Sequence, residues 1–79
     1  MSHICYTCQL EPDMIVRCCI LGLDFNLRVI RWQTDEHNRA ICHVILQDQV
    51  GNQYEPMVAA DFEWEVLPDE SFQPFSVGV

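Results

Sequence analysis

The clearest alternation of apolar and polar positions lies in Asp61-Phe62-Glu63-Trp64-Glu65-Val66. Phe62, Trp64 and Val66 fall on one side of an extended chain, and Asp61, Glu63 and Glu65 on the other. This pattern predicts a half-buried strand, ended by Pro68-Asp69-Glu70-Ser71. A second alternation, through Ala40, Cys42, Val44 and Leu46, predicts a strand over 40–47. Asp48-Gln49-Val50-Gly51-Asn52 then reads as a hairpin turn, with Gly51 able to take a positive φ. The chain returns over 53–58, where Tyr54 and Val58 share a side. Pro56 has no N–H and marks an edge or an end of pairing.

The pattern is less regular upstream. Phe25 to Trp32 alternates, with a slip at Val29-Ile30, and Gln33 to Arg39 is a polar loop. Met14 to Leu21 is open between two readings. Its Ile and Val content favours a strand. Met14, Ile15, Cys18 and Leu21 also share a helical face, with Pro12 suited to a first turn and Gly22 to a stop. The strand is preferred. Residues 1–13 read as an irregular segment closing in a turn at Glu11-Pro12-Asp13.

The expected fold is therefore all-β, a small five-stranded antiparallel barrel or strongly bent sheet, with room for one short N-terminal helix over 12–21. One small domain covers residues 1–79, divided into the segment 1–13, a core sheet over 14–67 and a tail over 68–79. In size and strand rhythm it resembles Tudor-like and Sm-like barrels. That likeness is one of architecture and implies no function.

Composition sharpens the picture. The 79 residues are 49% hydrophobic, too apolar for a disordered chain. They carry 12 Asp and Glu against four Arg, a net charge of −8. Nucleic-acid binding needs clustered Lys and Arg and is not expected. The charge is uneven: residues 1–39 sum to −1 and residues 40–79 to −7. The start carries no basic, apolar leader pattern, and the longest apolar run, Cys18 to Leu23, is far short of the roughly 20 residues of a membrane span. A cytoplasmic protein without a membrane partner is expected. Five cysteines in that compartment are expected to be thiols. The high apolar content of so small a chain also predicts a homodimer with a β-rich interface.

Three chemistries compete for the function. The first is recognition of a basic protein surface by the carboxylates Asp61, Glu63 and Glu65, with Trp32 as an exposed aromatic after the slip. An inhibitor, immunity or adaptor protein fits that description. The second rests on Cys5-Tyr6-Thr7-Cys8, whose spacing lets two thiolates reach one zinc ion. Cys5 and Cys8 would then hold zinc in a zinc- or thiol-dependent regulatory module. Cys18 or Cys19, and His3, Cys42 or His43, would complete the site, although no standard zinc spacing is present. The third is a small-molecule site in a dimer cleft lined by Trp32 and Tyr54. Catalysis has little support. The serines lie near the ends, Cys42 and His43 diverge as strand neighbours, and His37 with Asp35 and Glu36 reads as a solvated loop. A non-enzymatic protein is expected.

Overall fold

A computed structural model describes residues 3–17 and 26–71. Among these residues seven strands form one antiparallel sheet: β1 (His3–Tyr6), β2 (Ile15–Arg17), β3 (Asn26–Thr34), β4 (Ile41–Gln47), β5 (Gln53–Tyr54), β6 (Met57–Ala59) and β7 (Glu63–Leu67). Their order across the sheet is β1-β7-β2-β3-β4-β5, with β6 also paired to β4. The sheet is strongly bent and does not close into a barrel.

The count of seven, against the expected five, has two physical sources. First, β5 and β6 are one returning strand interrupted by proline. Leu46 pairs with Tyr54 and Cys42 with Val58 in the same register. Between them Val44 donates its amide to the Pro56 carbonyl (3.1 Å), and Pro56 has no N–H to return. Second, the segment 1–13 is not wholly irregular. His3–Tyr6 pairs with β7 along its length, from His3–Val66 to Tyr6–Glu63. Across 12–21, Ile15–Arg17 is a strand, which agrees with the preferred reading; Cys18 to Leu21 lie outside the described residues.

The bend centres on Val29. In the β2–β3 pair its carbonyl accepts from Asp13 (2.8 Å) and its amide donates to Met14 (2.8 Å), so two residues oppose one. Asp13 takes a positive φ of 74°, as a bulge or tight turn requires, and Met14 bonds back to Glu11 across Pro12 (3.2 Å). On the other side of β3 the register with β4 shifts between Val29 and Arg31. The slip at Val29-Ile30 is thus a β-bulge. These two irregularities around Val29 bend β3, so that residues 26–28 pair with β2 and residues 28–34 follow β4.

Alternation packs the inner face. Leu27 and Val29 of β3, Val44 and Leu46 of β4, Val58 of β6, and Trp64 and Val66 of β7 form the core with Leu10 and Val16. Trp64 is fully buried and meets Phe62 edge-on, with ring centroids 5.1 Å apart. Burying such a ring contributes roughly 2–3 kcal/mol.

Side chains join the two ends of the sheet where no backbone ladder does. After β1 the chain makes a single 3₁₀ turn, Thr7–Gln9. Thr7 is fully buried; its hydroxyl donates to the Ala59 carbonyl (3.0 Å) and accepts from the Trp64 indole N–H (2.9 Å). Cys8 donates its amide to Ala60 (3.4 Å), and Ala60 donates to Ala40 (2.9 Å). The end of β1 therefore meets the end of β6 through the Thr7 hydroxyl and the Cys8 amide.

Candidate functional site

The pairing of β1 with β7 builds the most distinctive surface. Tyr6 stands opposite Glu63, and Ile4 opposite Glu65. Ile4 is 58% exposed and Tyr6 45%, and the two lie on one strand two residues apart. Trp64 between the two glutamates points inward, so Glu63 and Glu65 share the outer face with Ile4 and Tyr6. Arg17 of β2 meets Glu65, with Nε 3.2 Å from a carboxylate oxygen. This pair is well exposed, so salt screens it and it adds little stability. Glu63 has no ion pair among the described residues. Asp61 is exposed in the turn before β7. The result is an acidic stripe flanked by two exposed apolar side chains at the sheet edge.

The backbone of β1 adds to this surface. Thr7 donates its amide to Phe62 (3.1 Å), which fixes the phase of the β1–β7 ladder. Antiparallel pairing alternates, so His3, Cys5 and Thr7 turn their amides and carbonyls toward β7. Ile4 and Tyr6 turn theirs to the open edge. The Tyr6 amide is taken by the Gln9 side chain, Oε1 at 2.9 Å. The Ile4 amide and carbonyl face outward.

The other expected site residues are dispersed. Trp32 is only partly exposed; it packs against the core and donates its indole N–H to the Leu10 carbonyl (2.9 Å). The bulge shifts the inward phase of β3 by one residue, which turns Trp32 toward the core, away from the acidic stripe. Tyr54 donates its hydroxyl to Asp48 (3.0 Å). Cys5 packs against the core from β1 and Cys8 is exposed on the 3₁₀ turn. Among the described residues no three His, Cys, Asp or Glu gather as a metal group. Cys18 and Cys19 lie outside the described residues. Cys42 is buried on β4, and burial, then the charge of Cys8, pushes its thiol above the ordinary range.

Two polar clusters have structural work. Asp48, almost buried, accepts the Val50 and Asn52 amides on Oδ1 and the Asn52 and Tyr54 side chains on Oδ2. Burial opposes its charge, but these four donors outweigh burial and hold the carboxyl below its ordinary range. Asp35 accepts His43 Nε2 (2.7 Å) on one oxygen and the His37 and Asn38 amides on the other. The bond from His43, then that from the His37 amide, lowers its pKa. Glu55 stands 3.7 Å from the other ring nitrogen of His43. His43, on β4 beside buried Cys42, reads in sequence only as a zinc ligand or a neighbour of that cysteine; in the fold it meets Asp35, eight positions away. His37, the loop histidine singled out in sequence, is exposed.

A hollow of about 360 Å³ on the outer face is lined by Asp13, Ile15, Arg28 and Asp69. Ile15 of β2 and Arg28 of β3 form part of its wall. No helix among the described residues is long and apolar enough to cross a membrane. Comparisons with family models, with curated proteins and with solved structures give no match to this chain.

Proposed function

We propose that this is a non-enzymatic binding protein that recognises a basic protein surface through the outer face of β1 and β7. One observation carries the reading: Glu63 and Glu65 lie directly opposite Tyr6 and Ile4, so carboxylates and exposed apolar side chains form one patch. Apolar anchors beside complementary charges are the usual composition of a recognition surface. Asp61 extends the negative edge. The net charge of −8 supports steering of a cationic partner toward it. Trp32 plays no direct part, because its indole is committed to Leu10.

A synthetic peptide of about ten residues, alternating Lys and Val, serves as the probe. Titration followed by fluorescence anisotropy is expected to show binding that weakens as salt is raised. Replacing Glu63→Lys and Glu65→Lys together should weaken it by about tenfold or more. The control reverses Glu36 and Glu70, exposed acids elsewhere, and should leave binding nearly unchanged. Equal effects of the two double variants would reduce the attraction to bulk charge and end this reading.

A further inference from the structure

We propose that β1 recruits its partner as an added β-strand: an extended segment rich in Lys or Arg pairs with the open edge at Ile4. This inference rests on the acidic-face reading and specifies how that face is used.

β1 ends the sheet order, so its outer side has no strand neighbour among the described residues. The phase fixed by Thr7 and Phe62 directs the Ile4 amide and carbonyl to that side. A residue placed opposite Ile4 exchanges both backbone bonds with it. The bond from Tyr6 to Gln9 withdraws the next amide along the edge and limits the length of the added ladder. The Tyr6 carbonyl, at the N-cap of the 3₁₀ turn, is engaged by that turn, so the open pairing positions centre on Ile4.

Charge selects the occupant. An added strand lies two strand spacings, each about 4.8 Å, from β7. A Lys or Arg on its outer face would lay an aliphatic stem over Ile4 or Tyr6 and carry its charge to Glu65 or Glu63. The Tyr6 ring offers a cation an additional favourable face. A second copy of this chain would instead bring another −8 to the same edge, with Glu63 and Glu65 facing their equivalents. A basic segment is therefore the favoured occupant.

The test separates backbone pairing from charge. Ile4→Pro removes the outward amide and keeps an extended φ, a change tolerated on an edge strand. It is expected to lower affinity for the alternating Lys–Val peptide by about tenfold or more. A matching loss is expected with unmodified protein when alternate peptide residues are N-methylated, so the test stands even where Ile4→Pro disturbs folding. In the free protein the Ile4 amide should exchange rapidly with solvent and become protected on peptide binding. Unchanged affinity for the N-methylated peptide overturns strand addition; if the Glu63 and Glu65 reversal still weakens binding, the acidic face stands alone. Strong protection of the Ile4 amide without peptide shows the edge already filled. Concentration-dependent protection would assign a second copy as occupant, and concentration-independent protection the chain's own residues. Either result overturns the proposal.

Discussion

The hairpin of β4 with β5 and β6 and the pair of β1 with β7 are both two-stranded antiparallel units, yet they are held by different means. The hairpin is local. Asp48 gathers four donors from the next six residues, Gly51 turns at a φ of 99°, and Pro56 interrupts the outer strand. The β1–β7 pair joins residues some sixty positions apart, and its end is secured through Thr7 and Trp64. The first unit draws its specificity from turn chemistry, the second from a buried polar contact. The edges differ accordingly. Proline interrupts the ladder on one side, its missing N–H facing β4. The other keeps Ile4 open and limits it with a single glutamine side chain.

Three perturbations test this contrast. The largest effect belongs to Trp64→Ala, which removes a fully buried ring and the donor that reaches Thr7. A loss of about 3–5 kcal/mol is expected by urea denaturation. Retention of near-native stability would show that the β1–β7 side of the core is not a packed unit. Next comes Thr7→Val, which keeps the shape and leaves the Trp64 N–H and the Ala59 carbonyl without this partner. About 1–3 kcal/mol should be lost. Thr7→Ser should keep most of that stability, and a Val variant as stable as the Ser variant would deny the hydroxyl its role.

The smallest effect is confined to the hairpin and is read by pH. Native contacts depress the Asp48 carboxyl, so its stabilising contribution is complete above the ordinary carboxylate range, near pH 4. That contribution is lost as pH falls through the lowered native value. Amide exchange at Val50 and Asn52 should therefore accelerate in acid beyond its intrinsic pH dependence, while Asp48→Asn should remove most of that excess. Thr7 and its neighbours should show a smaller change, because no carboxylate bonds there. A uniform response across both units would erase the distinction between them.

This contrast also explains what could be read from the sequence. The 63–67 strand and the hairpin were legible because their signals are local: strict alternation around Trp64, and a turn residue at Gly51. The slip at Val29-Ile30 was visible as a break in alternation and is a bulge in the sheet. Its effect on Trp32 was not legible, because the direction of a side chain after a bulge depends on the partner register. β1 escaped notice for a related reason. Its four residues carry little alternation of their own, and their strand character comes from β7. The acids Glu63 and Glu65 were found in sequence; their apolar companions Ile4 and Tyr6 required the fold. Thr7 gave no signal, since nothing marks a threonine whose two partners lie 52 and 57 residues away.

Those two separations bear on the order in which the molecule assembles. The hairpin over 41–59 can form as soon as its own residues are available, because its loop is short. Thr7 must wait until both Ala59 and Trp64 are in place, and contacts across so long a loop form slowly. β1 is therefore expected to be the last strand to dock. Until then its unpaired strand has two edges where the finished protein has one. The threonine that secures the docked strand thus acts as a latch in time: it ends the interval in which both edges of β1 are open to the wrong chain.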